Sequence, residues 1–293
     1  MFSQDPRPDD HPQPTQDPLR RLHAGADVLA LLADPATAPL CLDMAEDAAR
    51  AVHGSMAAAH IGSEPLSLIL SADEIDMIQL RDHAQGLSRQ RFDQVNQAFS
   101  RWRRGHLDRR AVFLDDCRGD VERCVAAECV ESQLVVATRH GSIDARDAFR
   151  SVIFNAHKLV LAPPARGYRG DLLRHVVIGW KPHGHTRSAV IAARRWLDAA
   201  DRVTMLCVND TPERTYQRSA AELLTRLELK ADITAIHSST RSIGEAIVDF
   251  ARTEDATCLL IGAFKYGYLL ELLLGRITPY VLSHAPMPVM MRH

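Results

Sequence analysis

No stretch of this sequence reaches the ~18 to 20 consecutive apolar residues that a membrane span needs. Even LVLAPP and YLLELLLG break off within a few positions. The opening MFSQDPRPDDHPQPTQDPLR is rich in Pro, Asp and Gln and contains no apolar signal-peptide core, so residues 1–22 read as a flexible tail. A cytoplasmic protein without a membrane partner is the expectation. A charge surplus is missing too: 35 basic residues face 37 acidic ones, for a net charge of -2. That balance argues against nucleic acid as a partner of the chain as a whole. The six cysteines (Cys41, Cys117, Cys124, Cys129, Cys207, Cys258) form no CxxC pair and read as reduced, buried packing residues. Cys117, Cys124 and Cys129 are spaced to spread around a helix rather than converge. No Walker-type or dinucleotide glycine loop is present, and no Ser-His-Asp or Cys-His set stands out.

What the sequence does contain is alternation. At 293 residues the chain has room for two domains, and PPARGYRGD at 163–171 punctuates it near the middle. The expected division is 23–165 and 171–293. In the second part, HVVIGW (175–180), VTMLCV (203–208), DITAIHS (232–238), TCLLIGA (257–263) and PVMM (288–291) read as strands separated by helical segments such as TRSAVIAARRWLDAA. Continuous apolar runs of this kind are buried on both faces of a parallel sheet. Strict strand–helix alternation specifies an α/β fold with a doubly wound parallel sheet, which binds ligands at the carboxyl ends of its strands. The first part repeats the plan: 26–34, 56–62, 111–116, 133–138 and 158–163 read as strands. A helical insertion over about 71–109 carries Ile75, Ile78, Phe92, Val95, Phe99 and Trp102 at near-helical spacing. Two copies of one plan point to an internal duplication, with the terminal strands KLVLAP and PVMM expected to meet edge to edge.

The stretch GEAIVDFARTEDATCLLIGAFKYGYLLELLLGRITPYVLSHAPMPVMM carries a family likeness. A helix, a strand ending in Gly, a loop, a Leu-rich segment, a second Gly and a terminal APxPV strand together resemble the universal stress protein family. The resemblance extends over 174–293 and implies tandem α/β domains of the adenine-nucleotide-binding type. It also implies pairing through the last strand, here as an intramolecular pseudo-dimer, with a homodimer and further protein partners left open. ATP-binding members carry Gly, two residues, Gly, nine residues, then Gly with Ser or Thr, so that backbone amides and a hydroxyl hold phosphate. Gly262 and Gly275 match the outer glycines. Lys265 stands at the middle glycine and Arg276 at the hydroxyl, while Gly267 is placed to take over the turn. Lys181 falls where the family has an acidic residue meeting the nucleoside. The motif is therefore degenerate. ATP or AMP is the ligand the resemblance implies, with Lys265 and Arg276 able to contact phosphate directly or to fill the site. In the first part the matching loop ATRHGSIDARDAF offers one glycine, Gly141, and reads as non-binding.

Other constellations are weaker. Pro182-His183-Gly184-His185 resembles half of a nucleotidyltransferase signature, but Ser238-Ser239-Thr240 lacks that signature's following Ile-Arg and reads as a helix N-cap. Two histidines do not make a zinc site. Asp115 and Asp116 read as surface carboxylates ending the third strand. Seven arginines between Arg89 and Arg110 form one basic segment, diluted by neighbouring carboxylates. The leading expectation is a non-enzymatic stress-response or regulatory protein without a certain cofactor. An ATP- or AMP-binding sensor and a nucleotidyltransferase-like enzyme are the alternatives.

Overall fold

The computed structural model describes residues 25–64, 79, 81–83, 85–106, 112–164, 167–168, 170–209, 211, 214–239, 241–263 and 277–293. Ten strands form one sheet. In the first half they are β1 (Val28–Leu32), β2 (Met56–Ser63), β3 (Leu114–Gly119), β4 (Leu134–Val136) and β5 (Leu159–Ala162). The second half supplies β6 (His175–Trp180), β7 (Arg202–Val208), β8 (Asp232–Ile236), β9 (Cys258–Gly262) and β10 (Val289–Arg292). Their order across the sheet is β3-β2-β1-β4-β5-β10-β9-β6-β7-β8. Every pairing is parallel except β5 with β10, where Val289, Met290 and Met291 lie antiparallel to Ala162, Leu161 and Val160. Each half thus has the same strand order running outward from its last strand. The α/β class with a mostly parallel sheet is the one the alternation specifies.

Helices cover both faces of the sheet. The first half has α1 (Ala38–Ala51), α2 (Ser88–Gly105), α3 (Val121–Glu128) and α4 (Ile143–Phe154). The second has α5 (Gly184–Ala192), α6 (Arg194–Asp198), α7 (Thr215–Leu227), α8 (Ile243–Thr253) and α9 (Ile277–His284). The single helix read over 186–200 is two, broken at Ala193. Alternate strand residues feed two apolar layers, one on each face, and each layer runs through both halves. Val28, Leu32, Ile178 and Leu260 enter one layer, and Leu29, Val160, Val177 and Leu259 the other. On the first face Trp196 of α6 is fully buried, and its indole N–H donates to Ala48 O of α1 at 3.0 Å. Among the described residues no helix is long and apolar enough to cross a membrane.

The third strand is displaced from its expected position. It runs Leu114–Gly119, not 111–116, in register with Ala58–Ser63 of β2. Its residues LDDCRG are mostly polar because β3 is an outer strand with one neighbour. Backbone pairing, not burial of apolar side chains, sets its limits, and hydropathy alone points three residues too early. Within the inserted segment α2 presents Val95, Phe99 and Trp102 to the core. Ile75 and Ile78 lie outside the described residues.

Candidate functional site

In a doubly wound sheet a crevice opens where the chain reverses its direction of strand addition. In the second half that point lies between β6 and β9, which are direct neighbours. A cavity of about 190 Å3 occupies it, at the carboxyl ends of the strands. Gly179, Trp180, Val208, Ile247 and Ile261 make its floor apolar. Lys181, His183 and His185 stand at its rim. The indole of Trp180 is tied to α7 by an N–H donated to Tyr216 O at 3.2 Å. The His183 and His185 rings stack at 6.0 Å between centroids, and His185 in turn lies 4.6 Å from the His293 ring.

Gly262 closes the back of this cavity for a steric reason. A Cβ at that position would lie 2.6 Å from the Thr186 backbone nitrogen and 2.8 Å from its Oγ1. Only a glycine lets the first turn of α5 approach the end of β9 so closely. Lys181 lines the same cavity, at its exposed edge. Lys265, Gly267, Gly275 and Arg276 fall outside the described residues. Among the described residues no group of three His, Cys, Asp or Glu side chains could hold a metal ion.

Beside the cavity, Asn209 adopts a left-handed backbone, φ 52°. Its amide accepts the Ser238 backbone N–H at 2.8 Å and donates to Ser238 Oγ at 2.7 Å, joining the ends of β7 and β8. Ser238 is therefore not the N-cap of the following helix. Ser242 takes that place, accepting from Glu245 N at 3.2 Å while the Glu245 carboxylate accepts from Ser242 N at 3.0 Å. This reciprocal pair fixes the start of α8, the helix that carries Ile243 and Ile247 to the cavity. Trp180, Tyr216 and Ile247 were not singled out from the sequence. Only Trp180 left a signal there, as the last residue of an apolar strand on the ligand-facing end.

At the equivalent strand ends of the first half, those of β1 and β4, side chains bond the two loops together. Asp34, just past β1, accepts the Ser142 backbone N–H at 2.7 Å and the Ala36 N–H at 2.9 Å. Ser142 Oγ donates to Ala33 O at 2.8 Å and caps α4 by accepting from Ala145 N at 3.1 Å. The loop reading noticed Gly141 but not its neighbour. Gly141 has φ 100°, and a Cβ there would sit 2.5 Å from the Asp34 carboxylate. Residues 137–142 lead directly from β4 to α4, whereas 263–276 separate β9 from α9.

A second cluster seals the neighbouring strand end. Asp144, 1% exposed, accepts Ser63 N–H at 3.2 Å and pairs with Arg81 at 2.9 Å and Arg91 at 3.3 Å. Arg91, 4% exposed, also bonds Ser63 O at 2.7 Å, Asp82 at 3.1 Å and Gly86 O. Its two terminal nitrogens are matched by these acceptors, and the Asp144 carboxylate offsets the charge that burial would otherwise penalise. One arginine of the basic segment is therefore spent inside the molecule. Asp116 is likewise not a plain surface carboxylate: it holds the buried His60 ring at 2.8 Å and Arg118 at 2.8 Å. Cys117 and Cys124 converge, against the expected dispersal, because Cys117 is on β3 and only Cys124 is on a helix.

Residues 189–293 match the model of the universal stress protein family. No curated protein sequence matches the chain. Among solved structures, a universal stress protein from Archaeoglobus fulgidus DSM 4304 superposes with a TM-score of 0.58 at 13% identity, over 90% of this chain and 95% of that one. A putative universal stress protein from Pseudomonas aeruginosa UCBPP-PA14 gives 0.54 at 14% identity, over 93% and 94% of the two chains. At these identities the structures speak to the fold, and the family match speaks to the second half. Residues 189–293 thus match the universal stress protein family model, within a fold that universal stress proteins share over nearly the whole length of the chain.

Proposed function

We propose that this chain is a non-catalytic regulatory protein of universal stress type in which the second half alone keeps a ligand site, and that the site takes an adenine nucleotide. The observation that carries this reading is the asymmetry of the two crevices. One is a cavity with an apolar floor and a cationic rim, and across the other Asp34 and Ser142 bond the loop after β1 to the loop after β4. At about 190 Å3 the cavity is smaller than the ~300 to 1,000 Å3 that encloses a whole ligand. It suits a purine base, leaving ribose and phosphates over the rim beside Lys181, His183 and His185. Lys265 and Arg276 of the glycine motif add two more cations for phosphate in this reading. The two halves act as domains over 23–165 and 171–293, paired through β5 and β10 as an internal counterpart of a dimer, with the first serving as scaffold.

Isothermal titration of the full chain with ATP and AMP, with and without magnesium, tests the reading. Binding by the natural chain is expected, and Lys181→Ala should weaken it by about 10-fold or more, the value of one charge-assisted hydrogen bond. Lys181 is exposed, so its loss leaves the core intact. Absence of binding by the natural chain, with binding gained in a Lys265→Gly, Arg276→Ser double variant, would mean that the site is closed.

A further inference from the structure

The Sγ atoms of Cys117 and Cys124 are 2.6 Å apart, joining the edge strand β3 to α3 across seven residues of sequence. No disulfide joins them in this structure. An S–S bond is about 2.05 Å long, so the two sulfurs need to close by only about half an ångström. Their surroundings differ. Cys117 is part-exposed, whereas the other five cysteines are buried. The Cys124 thiol is pushed up by its hydrogen bond with Cys117, by burial, and by the Glu128 and Asp120 carboxylates. Burial likewise pushes Cys41 and Cys258 up to about 12, which keeps those thiols protonated and inert.

We propose that Cys117 and Cys124 form a reversible redox site, oxidised by a low-molecular-weight hydroperoxide to an intramolecular disulfide. Cys117, the accessible sulfur, attacks the peroxide oxygen as its thiolate. The O–O bond breaks, the alcohol or water leaves with the thiol proton, and Cys117 becomes a sulfenic acid. The Cys124 sulfur then attacks Cys117 Sγ, its proton leaves with the hydroxyl as water, and the S–S bond forms. The two thiols give up two electrons and two protons, and the peroxide receives them. A thiol reductant reverses the bond by exchange. The bond fastens α3 to the outer strand beside the His60–Asp116 pair. It lies in the first half, so it stands independently of the nucleotide reading.

The test uses the full chain, treated with hydrogen peroxide, denatured and alkylated. Intact mass should show the loss of two of the six alkylatable thiols. Trypsin cuts after Arg118, Arg123 and Arg139, so the product should be peptide 111–118 linked to peptide 124–139 and released by dithiothreitol. Because Cys129 shares the second peptide, a Cys129→Ala variant should give the same cross-link. Checked for folding by circular dichroism, Cys117→Ser should lose no thiols, and Cys124→Ser should form no cross-link and lose at most the Cys117 thiol, as its sulfenic acid. Retention of all six thiols, a bond through Cys129, or over-oxidation of Cys117 without a cross-link would each overturn the proposal. The natural chain and Cys129→Ala decide the matter even if the serine variants misfold.

Discussion

At the scale of single residues, Gly262 shows how one position serves packing as well as recognition. The motif reading selects it for backbone approach to phosphate, and the structure adds the Thr186 contact, which exists without any ligand. An alanine methyl there meets backbone atoms of α5 at 2.6 and 2.9 Å, and backbone cannot rotate aside as a side chain can. Gly262→Ala should therefore destabilise the protein by about 1–3 kcal/mol, the usual range for overpacking. Urea denaturation would read this as a lower midpoint at unchanged slope, and an unchanged midpoint would show that α5 does not seat against β9. Asp34 was equally visible in the sequence, yet its bond to Ser142 joins positions 108 residues apart and leaves no local pattern.

Elements were legible where burial is symmetrical. The central strands β6 and β9 are apolar on both faces, so continuous runs such as HVVIGW announce them. β3 has a single partner and no such run. Helix starts were harder, because hydroxyl residues crowd the loop at 238–242 and several can compete for one cap. The structure selects Ser242, since it alone stands three residues before a glutamate that can bond back. Ser242→Ala should cost about 1 kcal/mol. Thermal melting should record it as a Tm lower by about 2–4 °C, and a Tm equal to that of the natural chain would deny Ser242 the capping role.

Across the whole molecule, the two halves share one sheet and two continuous apolar layers, and polar contacts hold their helices in register. Tyr168 of the linking segment donates its hydroxyl to Asp47 on α1 at 2.6 Å. Arg195 on α6 pairs with Asp27 beside β1 and also bonds Val52 O at 3.1 Å. Burial alone would raise the Asp27 carboxyl, but hydrogen bonds from Ser55 and the Arg195 guanidinium together hold it below the usual carboxylate range. A carboxylate lowered on folding contributes stability above its unfolded pKa of about 3.9, and that contribution is lost as pH falls through the folded value. Arg195→Leu should thus be less stable than the natural chain at about pH 7, with the gap narrowing on acidification below about pH 4. A gap independent of pH, measured by denaturant titration at several pH values, would remove charge from the account of this contact.

The sequence by itself determined the strand–helix alternation, the parallel strands of the core and the repeat of one plan, because each depends on burial patterns within a few consecutive residues. It also carried the universal stress likeness of the second half, written in the spacing of glycines and the terminal APMPV. Which side chains meet at the strand ends was decided only in three dimensions. Asp34 with Ser142, Arg91 with Asp144, and Cys117 with Cys124 are contacts between side chains whose chain positions say nothing of their distance. Folding sets those distances when the two apolar layers close, and the chemistry of each half follows from them.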